Sequence, residues 1–400
     1  METKLLRELC VEIVDCPHST PSWTSAGKIV IRNFNIQNGK IDFSNPSFTD
    51  QEHYLHRIKR AKPEGGDLVI TREAPMGQVG MIPSNVECCL GQRMVLLKVD
   101  RTVCNPYYLL YALQSPAVQF QIKCNEGTGT TVSNLRIPIL EHLEIPFVNK
   151  ETQDRIAAFL KLIDDKIEVN NKIIKNLEEQ IELCSEEILK NNSDDPQCNL
   201  GEICQFVTGY SYKSDELVPS DTALVTIKNF SRNGGFDIDG LKPINASKKV
   251  KDQQAVDLFD ILVAHTDLTQ KAEIVGNAEM VMDLGNYKEA IASMDLVKVV
   301  PISDVYPKSI IYCILKSRQF KQHCLGYVNG TTVLHLSKRA LPEFAFKITD
   351  DKIKIKLISN ITHNSVKLIS LLMKSNRILY SIRNAILPKL LTGEIELKNK

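Results

Sequence analysis

The chain repeats itself, and that duplication limits what it can fold into more than any other feature. Gly129-Thr130-Thr131-Val132 recurs as Gly330-Thr331-Thr332-Val333, an offset of 201 residues, and Leu135 and Leu336 continue the match. Upstream, Asn105-Pro106-Tyr107-Tyr108-Leu109-Leu110-Tyr111 aligns with Tyr306-Pro307-Lys308-Ser309-Ile310-Ile311-Tyr312 at the same offset. Leu6-Arg7-Glu8-Leu9-Cys10 resembles Leu200-Gly201-Glu202-Ile203-Cys204, and Arg32-Asn33-Phe34 resembles Lys228-Asn229-Phe230, at offsets of 194 and 196. Four matches in one order at nearly constant spacing identify a tandem duplication, with the drift that loop insertions produce.

Each copy ends in a helix with a heptad seam. In the first, the seam runs Ile156, Leu160, Ile163, Ile167, Asn170, Ile174, Leu177, Ile181, Cys184, Ile188, in alternating steps of four and three. That spacing keeps one stripe facing a partner helix. Shifting by 201 predicts a second seam of Leu357, Ile361, Asn364, Leu368, Leu371, Ser375, Ile378, Ile382, Ala385. Asn149, Glu151 and Asp154 suit the start of the first helix, as Asp350 and Asp351 suit the second. Asn191, Ser193 and Pro196 mark the first stop, Pro388 and Gly393 the second. A coiled coil within one chain follows. A large domain separates the helices, so either orientation is sterically open. Laid antiparallel, Asn170 falls near Ser375, so two polar side chains meet inside an apolar seam and fix its register. The antiparallel pair is the preferred reading; the alternative is two amphipathic helices, each packed on its own domain.

The remaining stretches read as mixed α/β, with β-rich runs at Lys28–Arg32, Asp67–Thr71, Met94–Val99 and Asp260–Ala264 between Gly, Asn and Pro punctuation. Pro106–Gln114 and Pro307–Leu315 read as short helices. The fold class is therefore α+β: two mixed α/β domains, each followed by a long helix, in a pseudo-twofold internal repeat. The predicted boundaries are 1–148, helix 149–192, linker 193–198, domain 199–348, and helix 349–392 with a tail to 400.

Eleven cysteines include no Cys-x-x-C pair, and no zinc template is filled. Buried free thiols in a reducing cytosol are the expectation. The first ten residues lack the apolar run of a signal peptide, and no apolar stretch is long enough for a membrane span, so a cytoplasmic chain without a membrane partner is expected. Catalytic constellations are missing as well. Asn45-Pro46-Ser47-Phe48 and Asn105-Pro106-Tyr107-Tyr108 lack the second proline of an amino-methyltransferase motif, and no Gly-rich loop stands by to hold a cofactor. His53, His56 and His265 have no partner at triad spacing. The expectation is a chain without catalytic residues or a metal site.

A net charge of +1, from 49 Lys+Arg against 48 Asp+Glu, does not mark a nucleic-acid binder, so any such affinity must be local. Two basic runs occupy equivalent places. Arg57, Lys59, Arg60 and Lys62, with His53 and His56, precede the strand at Asp67; Lys248, Lys249 and Lys251 precede the strand at Asp260. They are candidates for contacts to phosphates, which set register without reading sequence. A solvated surface is the plainer reading of either run. Sequence reading needs forked or amide donors on loops. After the first strand come Thr71, Arg72 and Gln78; after the second come His265, Thr266 and Gln270. Arg72 suits guanine, and Gln78 or Gln270 adenine. Thr130, Thr131, Thr331 and Thr332 of the Gly-Thr-Thr loops offer hydroxyl and backbone contacts, or serve only as turns. Trp23, the single tryptophan, is assigned to a core.

Ile145-Pro146, then Gln153-Asp154-Arg155-Ile156-Ala157-Ala158-Phe159-Leu160, then Ile163 to Asn171 on a heptad helix, resemble the specificity subunits of type I restriction–modification enzymes. Leu387-Pro388-Lys389-Leu390-Leu391-Thr392-Gly393-Glu394-Ile395 resembles the usual carboxyl terminus of that family. His265-Thr266-Asp267-Leu268-Thr269-Gln270 resembles a segment common in its recognition domains. The second copy departs from the pattern: Lys354-Ile355-Lys356-Leu357 stands where the first has Gln153 and its neighbours, and Asn360 replaces Phe159. The resemblance implies a bipartite reader of double-stranded DNA, each target-recognition domain binding half of a split target. It implies two modification (methyltransferase) subunits that carry S-adenosylmethionine, and translocating restriction subunits that use ATP and Mg. The helix from Ile156 to Ile188 would be on the order of 50 Å long, about fifteen base-pair steps. Two other functions are weighed against this one. A single-chain methyltransferase would need a cofactor loop. A coiled-coil interaction scaffold without DNA specificity is favoured by the near-neutral charge and disfavoured by loops that differ between the copies.

Overall fold

Apolar runs of four residues with no alternation, Leu68–Thr71 and Ile261–Ala264, form strands buried along their whole length. Each lies inside a four-stranded sheet covered on both faces. The computed structural model describes residues 2–124, 134–190, 195–232, 234–248, 250–302 and 306–397. They fall into two compact units, residues 1–166 with 379–400, and residues 167–378.

In the first unit the strands are β1 (Cys10–Asp15), β2 (Lys28–Ile31), β3 (Ser47–Thr49), β4 (Leu68–Thr71), β5 (Val79–Met81), β6 (Cys88–Leu90) and β7 (Met94–Val99). The main sheet is antiparallel in the order β1-β7-β4-β5, with Val95 opposite Ile70 and Leu97 opposite Leu68. A smaller sheet, β3-β2-β6, pairs β2 parallel to β6. Leu68 and Ile70 point to one face and pack with Tyr108, Leu109 and Leu113, while Val69 and Leu96 point to the other and pack with Ile31 and Leu90. The period of two thus survives as a choice between two cores.

The second unit repeats this arrangement with β8 (Cys204–Thr208), β9 (Thr222–Val225), β10 (Lys242–Pro243), β11 (Ile261–Ala264), β12 (Ala278–Met280), β13 (Glu289–Ala292) and β14 (Leu296–Pro301). The orders β8-β14-β11-β12 and β10-β9-β13, the latter with β9 parallel to β13, match those of the first unit strand for strand. Each copy also pairs its ends: Thr3–Leu5 with Glu144–Pro146, and Gln197–Asn199 with Ala345–Lys347. Gln197 and Cys198, read as linker from sequence, are therefore strand residues.

The helices longer than five residues are α1 (Gln51–Arg57), α2 (Pro106–Gln114), α3 (Pro116–Cys124), α4 (Lys150–Ile188), α5 (Lys308–Lys316), α6 (Arg318–Leu325) and α7 (Lys352–Thr392). Asn149 caps α4 by accepting from the Thr152 amide, and Asp351 caps α7 by accepting from Ile353 and Lys354. Gln153, fully buried, ties the start of α4 to the start of α2: its side chain accepts from the Asn105 amide and donates to the Val148 carbonyl. Pro388 does not stop α7; it lies inside the last turns, and Gly393, at φ +74°, follows the final helical residue.

The long helices pair antiparallel. In the first unit Arg383 reaches Asp164 at 2.8 Å. In the second, Asn170 donates to Asn376 at 2.7 Å, Asn376 donates to Asn171 at 2.7 Å, and Lys354 meets Glu187 at 2.8 Å. The seam of α4 lies where its spacing predicts, with Ile156, Leu160, Ile163, Ile167, Asn170, Ile181, Cys184 and Ile188 buried and Ile174 and Leu177 half-buried. The seam predicted for α7 is one residue out of register. Leu357, Asn364, Leu368, Leu371, Ile378 and Ile382 are exposed, and Ile361 and Ser375 are only half-buried. The buried set is Ile358, Thr362, Ser365, Val366, Ile369, Asn376, Arg383, Leu387, Leu390 and Leu391. The cause is a single residue: Ser115 and Ser317 close α2 and α5 at an offset of 202, as do the starts of the long helices, against 201 at the Gly-Thr-Thr repeat. Asn170 accordingly meets Asn376 rather than Ser375.

Eight of the eleven cysteines are buried, and burial pushes the Cys88 thiol up to about 12 and Cys89 up to about 11, so these thiols act as packing groups. Among the described residues no helix is long and apolar enough to cross a membrane, and no group of His, Cys, Asp or Glu is placed to hold a metal ion.

Candidate nucleic-acid interface

The basic run of the first unit splits once it folds. Asp50 caps α1 by accepting from the His53 amide, and a helix of two turns carries Arg57 inward. Arg57 is 5% exposed and its guanidinium is consumed: Nε donates to the Leu90 carbonyl at 2.7 Å, Nη1 to Ser19 at 3.0 Å and Nη2 to Pro17 at 3.1 Å. It braces the 17–19 loop and is removed from the phosphate-contact set. Lys59, Arg60 and Lys62 remain exposed, with Arg60 reaching the Asp15 carbonyl and Lys62 standing 3.9 Å from Glu87.

The loop after β4 is also more structural than its sequence suggests. Thr71 is fully buried; its hydroxyl donates to the Pro75 carbonyl and accepts from the Gln78 amide, closing the turn on itself. Arg72 is 9% exposed, with Nη1 on both Asp15 carboxylate oxygens at 2.9 Å, Nε on the Leu135 carbonyl and Nη2 on the Asn134 side chain. A guanidinium with three internal partners has no edge left for guanine, so Arg72 and Thr71 are framework residues. Gln78 is half-buried and lines a cavity of about 380 Å3 with Asn38, Gln114, Gln119 and Asn384. Thr130 and Thr131 lie outside the described residues. Residue 134, just past them, is beside Arg72, and the Leu135 amide donates to the Arg72 carbonyl at 2.9 Å.

The second unit uses the same contact with other side chains. The Leu336 amide donates to the His265 carbonyl at 2.8 Å, so the loop after β11 meets the strand that follows the second Gly-Thr-Thr. Gln270 donates to the Thr331 carbonyl at 3.0 Å, which brings two of the candidates together; Gln270, Thr331 and Thr332 are all exposed. Thr266, 7% exposed, donates to Asp295 and belongs to the framework. Burial, reinforced by the charges of Lys338 and His335, depresses His265 to about 4, so it is neutral near pH 7 and offers no charge to a phosphate. Lys248 and Lys251 are exposed; Lys249 lies outside the described residues.

Sequence reading missed the groups that shape these loops. Asp267, 1% exposed, accepts from the amides of Thr269, Ile274 and Val275 and from the Thr269 hydroxyl. Burial opposes its ionisation, but these bonds together hold the carboxyl below its ordinary range. Asn35 and Asn229 are equivalent hooks: each accepts from the amide three residues before it, Arg32 or Thr226, and donates to a carbonyl of the following loop, Asp42 or Asp237. The true match is therefore Asn35 with Asn229, at the offset of 194 seen for Leu6 and Leu200, and the alignment of Arg32-Asn33-Phe34 with Lys228-Asn229-Phe230 is corrected by two residues. Trp23 is not core: 45% of it is exposed. What remains is one framework, built twice, whose outward positions differ in chemistry between the copies.

Residues 24–179 match the family model described as type I restriction modification DNA specificity domain. The chain is 29% identical over 156 residues to the type I restriction enzyme MjaIX specificity subunit of Methanocaldococcus jannaschii, which covers 39% of this chain and 31% of that one. It is 27% identical over 160 residues to the MjaVIII specificity subunit of the same organism, covering 39% of this chain and 36% of that one. These matches span about a third of each relative's length. A solved S subunit of the type I restriction–modification system from M. genitalium shares the fold across 100% of this chain and 96% of its own, at a TM-score of 0.60 and 17% identity. Residues 24–179 are thus similar to the type I restriction modification DNA specificity domain, and the chain as a whole shares the fold of a solved type I S subunit.

Proposed function

We propose that the chain reads a split DNA sequence for a type I restriction–modification complex, one half-target per recognition domain, and that it is itself non-catalytic. The observation that carries this reading is the duplicated framework with unlike outward residues: identical strand orders hold Lys59, Arg60 and Lys62 in one copy and Lys248, Lys251 and Gln270 in the other. Equal frameworks with unequal loops suit a protein that recognises two different half-sequences on one ligand. In this reading the long helices fix the spacing between half-targets and dock two modification subunits. The outward stripe Leu357, Leu368, Leu371 and Ile378 supports docking, because these large apolar side chains lie along one face of α7 and are 42–65% exposed. Between Lys352 and Thr392 there are six Lys, two Arg and no Asp or Glu, and with Lys354, Arg377 and Arg383 paired within the chain, the remaining lysines beside the apolar stripe suit an acidic, partly apolar partner surface. S-adenosylmethionine belongs to the modification subunits and ATP with Mg to restriction subunits, so no residue here is assigned to hold them. A cytoplasmic location accompanies that assembly.

The test is co-expression with the cognate modification subunit followed by mapping of methylated adenines. The expected result is marks confined to one split sequence, with either half lost as a requirement when its domain is replaced. Assembly that methylates without sequence preference would replace this reading with that of a protein-binding scaffold.

A further inference from the structure

The short turn that precedes each asparagine hook presents different groups in the two copies. In the first unit Arg32 is exposed, and its guanidinium lies 4.9 Å from the centroid of the Trp23 ring and 4.6 Å from that of Phe34. Both rings are largely solvent-exposed, 45% and 49%. Among the described residues no carboxylate or carbonyl engages that guanidinium; the hydrogen bonds of Arg32 are made by its backbone, whose amide donates to the Asn35 side chain and whose carbonyl accepts from the Asn35 amide. Compare its neighbours: Arg57 and Arg72 engage all three guanidinium nitrogens with the framework, and Arg93 is paired with Glu73 at 2.9 Å. Two exposed aromatic rings that pack on a cation instead of in a core are costly to keep in water. Their stacking holds the planar fork in one orientation without using its edge donors.

The base of the turn is rigid. Asn35 clamps its backbone, and the Asn33 side chain donates to the Glu73 carbonyl. Glu73 in turn binds Arg93 and Asn134, and Asn134 binds Arg72. The free fork therefore stands on the same network that joins the loop after β4 to the segment following the first Gly-Thr-Thr. In the second unit the equivalent of Arg32 is Thr226, 4% exposed, whose hydroxyl accepts from the Lys228 amide, and the equivalent of Phe34 is the exposed Lys228. One copy holds out a forked donor between rings; the other holds out a single ammonium.

We propose that Arg32, held against Trp23 and Phe34, is a specificity-determining residue of the first recognition domain, donating two N–H groups of one guanidinium edge to the adjacent O6 and N7 acceptors of a guanine in the major groove. This rests on the DNA-reading function proposed above and names the chemistry of one half-target. A pinned fork matches the paired O6 and N7 acceptors of guanine, whereas an ammonium contacts phosphates as a point charge. Arg32 makes no side-chain hydrogen bond to the framework, so its replacement leaves folding intact.

The experiment compares methylation maps of the complex containing the unaltered chain, Arg32→Ala, Arg32→Lys and Trp23→Ala, each with its thermal unfolding recorded. The expected result is an unchanged transition temperature and an unchanged second half-target. Arg32→Ala loses discrimination for a G·C pair at one position of the other half by roughly ten- to a hundredfold, and Arg32→Lys does not restore it. Trp23→Ala weakens the same position by a smaller factor. An unchanged target in Arg32→Ala, or full restoration by Arg32→Lys, overturns the base contact while leaving the DNA-reading function intact. Methylation by the unaltered complex with no defined target overturns both.

Discussion

Replacing Arg72 by alanine separates a framework role from a reading role. The Arg72 side chain is 10% exposed and that of Asp15 21%, and the pair is joined by two contacts of 2.9 Å. Removing one partner of a largely buried pair costs about 3–5 kcal/mol, mostly from the charge left behind. Water reaches Asp15 in part, which favours the low end; the Leu135 carbonyl and the Asn134 amide also lose a donor, which adds to it. A total of about 3–4 kcal/mol is expected. In a unit of this size each kcal/mol moves Tm by about 2–4 °C, so the transition of the first unit should fall by about 6–15 °C. Differential scanning calorimetry of the whole chain reads this directly. Arg72→Lys should recover little, because a point ammonium cannot span the separate acceptors on Asp15, Leu135 and Asn134 that the planar fork reaches with three nitrogens. Arg72→Ala with Asp15→Ala should cost less than the two single changes added together. A Tm within about 2 °C of the parent, accompanied by a changed base in the methylated target, would refute the framework assignment.

Two further changes probe the helices. The Asn170 carbonyl oxygen is buried without a hydrogen-bond partner although its amide donates to Asn376. Asn170→Leu alone should destabilise by about 1–3 kcal/mol in urea unfolding, whereas Asn170→Leu with Asn376→Leu should match or exceed the parent. The same double change should broaden the helix register, seen as a lower disulfide yield between cysteines placed at Gln180 and Ser365, whose side chains now meet at 2.9 Å. Glu178 supplies a pH dependence. Burial, then the charge of Glu279, raises its carboxyl to about 7 against the opposing pull of Lys316; Glu182 adds repulsion, and Tyr312 lines the same pocket. The folded chain thus keeps a proton that the unfolded chain loses near 4.5, so stability falls as pH rises from about 4.5 to 7. Allowing for its partial exposure the loss is about 1–2 kcal/mol, and Glu178→Gln should flatten the profile; a slope that survives the change would locate the effect elsewhere.

The first helix was legible because its seam is apolar at nearly every heptad step and holds a single polar residue. The second was not, because α7 carries two apolar stripes one residue apart: Leu357, Leu368, Leu371 and Ile378 lie beside a buried set that includes Thr362, Ser365, Asn376 and Arg383. Hydrophobicity alone selects the outward stripe, and only the packing of the domain reveals which of the two is covered. Strand positions were legible wherever four or more apolar residues ran together, as in β7, whose bounds were read in full. The candidate loops do follow the strands β4 and β11 from which they were read, yet their inward and outward members were not separable in the sequence. Arg57 and Arg72 look like any basic residue in a run, and their burial depends on Leu90, Asp15 and Leu135, which are remote in sequence. Trp23 misled for the opposite reason, since a lone tryptophan is ordinarily packed and this one is used at a surface.

The pairing of each domain's first strand with its last has a genetic consequence. Thr3–Leu5 lies against Glu144–Pro146, and Gln197–Asn199 against Ala345–Lys347, so the chain enters and leaves each domain at one place. A domain with adjoining ends is a cassette. Recombination at two short seams can exchange one such domain for another while the long helices keep their phase and their outer faces. The same closure makes the order of parts a matter of where the polypeptide is opened: a chain begun at Gln197, carried through its second half and joined back to Met1, would retain the same strand pairings. On the proposed function, new target sequences would arise by shuffling whole domains, without the stepwise remodelling of a contact surface.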